Sequence, residues 1–266
     1  MFYLSCQKKC NMRILLVVAT EEEVSPLISE FGISIFRDNL LFNGAQEGFA
    51  VSEFFGSAKA SKKDPETELF NITSEIEHPK FEISLLITGV GMVATAFSLG
   101  RHLVTNKYDL VLNLGIAGSF DRDIALGEVV EITEDTFAEL GAEDDNDFLS
   151  IDTMGFGEGK FHPSKKLTDL YNLFNTFNLK QATAITVNTV HGNEASIKKV
   201  TERLHPQVES MEGAAFFYAC KQMDVPCLQI RAVSNYVEKR NRDNWNIGLA
   251  IKNLNTFAVE FLKLYA

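Results

Sequence analysis

The sequence predicts one α/β domain, a three-layer sandwich in which helices flank a central, mixed and largely parallel sheet. Continuous apolar runs rich in branched residues recur along the 266-residue chain, as in strands that are buried on both faces. Segments with helical spacing lie between these runs, and such alternation is typical of parallel crossover units. A composition of 45% hydrophobic and 23% charged residues provides enough apolar side chains for this core.

The individual elements follow from these patterns in chain order. Buried strands are predicted at 14–19, 83–88, 110–114, 184–188 and 228–233. Helices are predicted at 24–31, 93–104, 167–177, 195–204, 211–223 and 245–264. Residues 49–55 alternate weakly and are assigned to an early meander, whereas the polar, turn-rich residues 57–80 are expected to form an exposed excursion.

Residues 1–11 precede the first predicted strand and are expected to be a poorly ordered extension of the domain formed by 12–266. The extension lacks the long apolar stretch and the cleavage site of a signal peptide, which favours a cytoplasmic protein. The chain's four cysteines, at 6, 10, 220 and 227, lack the spacing of a zinc cluster and are expected to be free thiols.

Charge and residue spacing exclude several classes of function. A net charge of −11 and a pI near 5.0 disfavour binding to nucleic acid or to an anionic membrane surface. No apolar run is long enough to cross a bilayer. The acidic residues between 121 and 147 lack the spacing of a calcium loop, and the five histidines form no metal-site or triad pattern. We therefore expect no metal, no cofactor and a small-molecule ligand.

Several polar and glycine-rich segments follow predicted strands, where ligands bind in open α/β sheets. Glu21-Glu22-Glu23 follows the first strand, and because a helix start favours acidic residues, only one of these three needs to face the crevice as a base. Gly89-Val90-Gly91 and residues 113–119 follow two more strands, where glycines allow close approach of the backbone to a ligand. His191 follows the fourth strand and is expected to wall the same crevice.

A nucleoside pocket is indicated by two residues near the C-terminus. Glu212 lies at a predicted helix start, where a carboxylate can accept two hydrogen bonds from a ribose cis-diol. Asn235 follows the last predicted strand, where its amide can bind the edge of a purine. Small residues at a helix start are also common where a helix packs closely on a sheet, so Glu212 indicates a site only together with the other segments.

In this order, the segments resemble those of the nucleoside phosphorylase and nucleosidase superfamily, in the branch of methylthioadenosine nucleosidases and futalosine hydrolases. The resemblance spans nearly the whole chain and is carried by residues 19–23, 89–91, 113–118, 210–214 and 231–235. It implies a nucleoside phosphorylase-like fold, cleavage of the N-glycosidic bond of a purine nucleoside, and a homo-oligomer, commonly a dimer.

The resemblance also implies roles for individual residues. Glu23 is expected to activate the attacking water, and Glu212 is expected to bind the ribose hydroxyls while Met211 packs under the sugar. The resemblance further implies that Gly89, Val90 and Gly91 line the pocket. It implies that Val190 and His191 pack on the base.

Position 235 is an aspartate in the adenine-specific members of this family, whereas this chain has Asn235. An amide can donate to O6 of hypoxanthine and accept from a protonated N7, so Asn235 favours a 6-oxopurine. Futalosine hydrolases, which release hypoxanthine from futalosine on a menaquinone pathway, are therefore the members that the chain resembles most. For the benzoate of futalosine, Lys239, Arg240 and Arg242 are candidates, although a basic cluster on the surface is the commoner explanation for such residues.

Several alternatives stay open at this point. A methylthioadenosine or adenosylhomocysteine nucleosidase is disfavoured by Asn235, and cleavage of inosine is a further possibility. A phosphorylase is disfavoured because we identify no arginine in the strand-end segments next to Glu23. A nucleoside-binding sensor without turnover would have no need of Glu23 beneath the anomeric carbon.

Overall fold

A nine-stranded sheet is the middle layer of the part of the chain that the structure describes. The structure is a computed structural model and describes residues 12–31, 34–37, 81–164 and 174–264. The strands are β1 (Met12–Val18), β2 (Ser34–Arg37), β3 (Phe81–Ile87), β4 (Leu110–Ser119), β5 (Val129–Phe137), β6 (Gly141–Asp144), β7 (Asp147–Ser150), β8 (Lys160–Phe161), β9 (Lys180–Thr186), β10 (Val208–Ser210) and β11 (Cys227–Tyr236). The helices are α1 (Ser25–Phe31), α2 (Met92–Thr105), α3 (Glu194–Leu204), α4 (Gly213–Gln222) and α5 (Ile247–Lys263).

The sheet is mixed, with a parallel centre. Its order is β10-β9-β5-β11-β4-β1-β3-β2, and β8 pairs with β5. Strand β1 runs parallel to β3 and β4, and β11 runs parallel to β4. Strand β5 is antiparallel to β11, whereas β6 and β7 form a separate hairpin. The predicted mixed and largely parallel sheet is thus confirmed.

Alternation of side chains along the central strands creates two cores, one on each face of the sheet. Leu15 and Val17 of β1 pack into a cluster that includes residues of α2 and α4. Leu16 lies in a second cluster that includes residues of α1 and α5. Because successive side chains of a strand point to opposite faces, the fully apolar run of β1 requires helices on both sides. The three-layer arrangement follows from this requirement.

Two predicted strands have ends that matter for the site. Strand β4 continues to Ser119, so residues 113–119 lie within the strand, whereas we predicted that they follow its end. Strand β9 already ends at Thr186, which leaves residues 187–188 in the following loop. Neighbouring strands pair with β4 along its whole length, and this pairing keeps the glycines of residues 113–119 extended.

Strand β5 was not predicted, although it lies beside β11 in the sheet. Its sequence carries Glu131, Glu134 and Asp135, so it lacks a continuous apolar run. The short strands β2, β6, β7, β8 and β10 also escaped prediction, because two to four residues carry too little periodicity.

The predicted helices match α1 to α5 within a few residues at each end, except for the helix at 167–177. Of that segment the structure describes residues 174–177, which include a 3₁₀ turn at Asn175–Phe177. Residues 1–11, 49–55 and 57–80, for which we predicted an extension, a meander and an excursion, lie outside the described residues. Within the described ranges, no helix has the length and apolarity needed to span a membrane.

Candidate functional site

Glu23 is a buried carboxyl at the end of the 3₁₀ turn Glu21–Glu23 that follows β1. Its Oε2 accepts the backbone N–H groups of Ala19 at 3.0 Å and Thr20 at 3.2 Å, and its Oε1 accepts that of Ile116 at 3.3 Å. Burial and the charge of Glu212 raise the pKa of Glu23, and Arg231 and the backbone N–H groups of Thr20 and Ile116 lower it, with the result that the pKa is raised to about 7. A carboxyl with this pKa can exchange a proton near neutral pH.

Arg231 lies at the centre of the site, although it is fully buried within β11. Its Nη2 donates to Oδ1 of Asn113 at 2.6 Å, and its Nη1 lies 3.8 Å from Oε2 of Glu212. A β-carbon placed on Gly115 would overlap Nη1 and lie 3.1 Å from Oε1 of Glu23. Gly115 therefore lets the guanidinium and the Glu23 carboxyl approach the same point on β4.

Glu212 is the buried residue that precedes α4, and it faces the glycine segment at the start of α2. Its Oε1 accepts the backbone N–H of Gly91 at 3.0 Å. Gly89 and Gly91 both have positive φ, of 86° and 99°, a conformation that favours glycine. The turn thus presents a backbone donor to Glu212 and leaves Val90 exposed between the two glycines.

Asn235 lies near the end of β11, beside a register shift in its pairing with β4 between Val233 and Asn235. Such bulges redirect side chains and are common next to active sites. Its Oδ1 accepts from the Ser234 hydroxyl at 2.8 Å, and its Nδ2 donates to the carbonyl of Tyr236 at 3.1 Å. Because an amide oxygen has two acceptor positions and an amide nitrogen two hydrogens, one of each stays available to a ligand.

His191 lies in the loop after β9 and is held by Glu209 of β10. Its backbone N–H and its Nδ1 meet the two carboxyl oxygens of Glu209 at 2.9 Å and 2.7 Å, and this hydrogen bond raises the pKa of the imidazole. A β-carbon on Gly118 would lie 3.2 Å from Nδ2 of Asn235 and 3.6 Å from Cγ of Glu209. Because Gly118 has no side chain, Glu209, which holds His191, can lie next to Asn235.

The other predicted residues lie around these groups. Met211 is half-buried, and Val190 is largely exposed in the same loop as His191. Among the basic candidates, Lys239 is exposed, Arg240 has its guanidinium 5.0 Å from the centre of the Trp245 ring, and Arg242 begins the 3₁₀ turn Arg242–Asn244. The structure thus brings Glu23, Glu212 and the 89–91 turn together, and it places Asn235 at Gly118 of β4, beside the Glu209 that holds His191.

Sequence reasoning assigned no function to Arg231, and our statement that no arginine lies next to Glu23 was wrong. The signal was present, because Gln229 and Arg231 are polar residues two apart in an otherwise apolar strand. A spacing of two places both side chains on one face of β11, where burial requires polar partners. In the described ranges, no group of histidine, cysteine and acidic side chains is arranged to hold a metal ion.

Comparison with known proteins places the chain in a family. Residues 13–264 match the sequence profile of the Phosphorylase superfamily. A futalosine hydrolase from Streptomyces coelicolor is 35% identical over 177 residues, which cover 64% of this chain and 74% of the relative. A 5′-methylthioadenosine/S-adenosylhomocysteine nucleosidase from Staphylococcus carnosus is 26% identical, covering 76% of this chain and 92% of the relative.

A solved structure supports the same assignment at the level of the fold. The native structure of futalosine hydrolase from Helicobacter pylori superimposes with a TM-score of 0.66 and 17% identity, covering 95% of this chain and 96% of that chain. With the family profile spanning nearly all of the sequence, the chain belongs to the phosphorylase superfamily, in the branch that contains the futalosine hydrolases.

Proposed function

We propose that this protein hydrolyses the N-glycosidic bond of futalosine and releases hypoxanthine, a reaction of menaquinone biosynthesis. The observation that carries the proposal is that Glu23 and Arg231 meet at Gly115 with Glu212 next to Arg231, while Asn235 lies at Gly118 of the same strand. The similarity to a futalosine hydrolase at 35% identity supports the choice of substrate.

Glu23 is the general base in this proposal. Its Oε2 already accepts two backbone N–H groups and its Oε1 accepts one, so the remaining acceptor position is on Oε1, the oxygen nearest to Gly115 and Arg231. A water held there loses a proton to Glu23 as it attacks the anomeric carbon. The pKa of about 7 allows Glu23 to be ionised before the reaction and protonated after it.

Glu212 binds the sugar. Because its Oε1 is held by Gly91, its Oε2 is directed towards Arg231 and is available to the ribose hydroxyls. A fixed carboxylate beneath the sugar also stabilises the positive charge that develops on the anomeric carbon. Arg231 limits the repulsion between the Glu23 and Glu212 carboxylates.

Asn235 binds the leaving base. Its free amide hydrogen donates to O6 of hypoxanthine, and its free acceptor position accepts from N7–H once the departing base has taken up a proton from solvent. This proton balances the one that the attacking water gives to Glu23. Asparagine cannot itself donate a proton to the base, so it acts by the hydrogen bond to O6, which strengthens as negative charge builds on the leaving purine.

In the proposal, water and not phosphate attacks the sugar. The absence of a nearby arginine, on which the sequence analysis relied, is not the reason. Arg231 does lie beside Glu23, but the carboxyls of Glu23, Glu212 and Asp135 surround this single guanidinium. A phosphate anion would have to approach these acidic groups, whereas a neutral water meets no such electrostatic penalty.

The protein acts as a homodimer in the cytoplasm in this proposal. Val93, Phe97 and Val104 are exposed large apolar residues of α2, spaced so that they share one helix face. This face continues into the exposed Val90 of the site, so a second copy placed on it would also cover the sugar side of the pocket. The buried free thiols of Cys220 and Cys227 suit a reducing compartment.

The substrate is tested by incubating the protein with futalosine, inosine, methylthioadenosine and adenosylhomocysteine in phosphate-free buffer and identifying the released bases by chromatography. We expect hypoxanthine from futalosine and no rate increase on addition of phosphate. Adenine release without hypoxanthine would identify an adenine nucleosidase, and binding without release of any base would identify a sensor. Either result would refute the proposal.

Replacing Glu23 with glutamine should reduce kcat by about 10²- to 10⁴-fold while substrate binding, measured by calorimetry, changes little. For the natural enzyme, the ionised form of Glu23 is the active one. Because its pKa is raised to about 7, kcat/KM should decline as the pH falls through this value. A rate that stays constant between about pH 8 and about pH 5.5, or an active Glu23→Gln protein, would exclude Glu23 as the base. Glu22→Gln, at the exposed neighbouring position, is the matched control.

Replacing Asn235 with aspartate should shift the preference from hypoxanthine towards adenine. A carboxylate opposite O6 places two acceptors against each other, a mismatch that costs about tenfold to a hundredfold in kcat/KM for futalosine. The ratio of kcat/KM for futalosine to that for methylthioadenosine is the measurement. If this ratio is the same in both proteins, Asn235 does not select the base.

The dimer is tested by sedimentation. We expect the natural chain to have twice the 29.7 kDa mass of one copy, and Val93→Glu/Phe97→Glu to have the mass of a monomer, because two carboxylates would be buried at the interface. Phe156→Glu, at an exposed phenylalanine outside α2, should stay dimeric. A monomeric natural protein, or a dimer that survives both charges, would contradict this interface.

A further inference from the structure

Behind the site, a chain of buried polar groups connects Arg231 with the first turn of α4. Nε of Arg231 donates to Oε1 of Gln229 at 3.0 Å, and Nε2 of Gln229 donates to Oδ2 of Asp135 at 3.1 Å. The Thr186 hydroxyl donates to Oδ1 of Asp135 at 2.8 Å and accepts the backbone N–H of Ala214 at 2.7 Å. Asp135, Thr186 and Gln229 are completely buried, so the chain has no access to solvent.

Hydrogen-bond chemistry fixes the direction of this chain. Arginine only donates, so Gln229 must turn its oxygen to Arg231 and its NH₂ to Asp135. The Thr186 hydroxyl accepts the backbone N–H of Ala214 and donates its hydrogen to the other oxygen of Asp135. Both carboxyl oxygens of Asp135 must then accept, which is satisfied by the ionised form.

Asp135 is completely buried and lies close enough to Arg231 and Glu212 for their charges to affect its pKa. Its pKa is raised to about 7, mainly by burial and also by the charge of Glu212, against the lowering effect of the hydrogen bonds from Thr186 and Gln229 and of the charge of Arg231. A β-carbon on Gly213 would overlap Oδ2 of Asp135 and Oε1 of Gln229, so the start of α4 rests directly on this pair.

We propose that Asp135 and Gln229 are positioning residues that hold the guanidinium of Arg231 in one orientation beside Glu23 and Glu212. Without Gln229, Nε of Arg231 would lose its acceptor, and the group could rotate about its remaining contacts with Asn113 and Glu212. The role of Arg231 between the two carboxylates rests on the proposed function, whereas its orientation by Asp135 and Gln229 does not.

An exchange of the two groups tests the proposal. Asp135→Asn leaves either two NH₂ groups facing each other or the Thr186 hydroxyl hydrogen without an acceptor, and Gln229→Glu places two carboxyls face to face. The double variant Asp135→Asn/Gln229→Glu restores every hydrogen bond: those from Thr186 and Arg231 keep their direction, and the one between positions 135 and 229 is reversed. In it the new amide at position 135 donates to the new carboxylate at position 229, and this carboxylate accepts from Arg231. The exchange also keeps the net charge.

We expect kcat per folded site to fall about tenfold to a hundredfold in each single variant, with a smaller change in KM, and to recover most of this loss in the double variant. In the double variant the carboxylate is adjacent to Arg231 and neutralises it more effectively. Since Arg231 lowers the pKa of Glu23, this pKa should rise, and the acidic limb of kcat/KM should move to higher pH than in the natural protein. A purely structural role would lower stability without moving this limb.

The pKa of Glu23 is also measured without substrate, by ¹³C NMR of its carboxyl, which is identified by its disappearance in Glu23→Gln. This measurement keeps the two hypotheses apart, because a protein that does not cleave futalosine refutes the proposed function but not the positioning role. Single variants with natural kcat, a double variant no better than the singles, or a double variant with an unchanged Glu23 pKa would each overturn the proposal.

A matched control is available on the same strands. Gln181 of β9 donates to Glu131 of β5 at 3.2 Å, another amide-to-carboxylate pair. The exchange Glu131→Gln/Gln181→Glu alters the same chemical groups and keeps the net charge, so it should leave kcat and the Glu23 titration as in the natural protein. This comparison separates an effect of Arg231 orientation from a general effect of exchanging an amide and an acid on these strands.

Discussion

The site depends on one buried guanidinium, that of Arg231. Transfer of a charge from water into a protein interior costs several kcal/mol, so a buried arginine persists only where acceptors and opposite charges compensate it. Asn113 and Gln229 accept from it directly, and Glu212 approaches it to 3.8 Å. These partners come from three different segments, and the fold must bring all of them to the middle of β11.

The parallel pairing of β4 with β11 is what makes this convergence possible. In this pairing Asn113 is opposite Gln229 and Gly115 is opposite Arg231. Strand β4 thus supplies an acceptor at one step and an open space at the next, two residues further on the same face. The same strand then supplies Gly118 beneath Asn235, beyond the register shift of β11. One strand therefore sets the spacing between the Arg231 end of the site and its Asn235 end.

The strands and helices with a clear pattern of apolar residues could be predicted. The apolar run of β1, for example, must be buried on both faces of the sheet. Glu23, Glu212 and the 89–91 turn were found as polar or glycine residues at element ends. The spacing of Gln229 and Arg231 in an apolar strand was overlooked, whereas their connection to Asp135 was not predictable because it is three-dimensional. Arg231 and Asp135 are each a polar residue inside a strand, and only the pairing of β5 with β11 shows that the two belong to one chain of hydrogen bonds.

The arrangement also separates what is general in the site from what is selective. In the proposed function, Glu23, Glu212 and Arg231 act on the sugar, and their chemistry is the same whichever purine leaves. Asn235 is held by Ser234 and Tyr236 and shares none of these contacts. Substitution at 235 can therefore alter the preferred base without disturbing the charge balance around Arg231. A change at 135 or 229 would instead act on every substrate alike, because it acts through the guanidinium and not through the base.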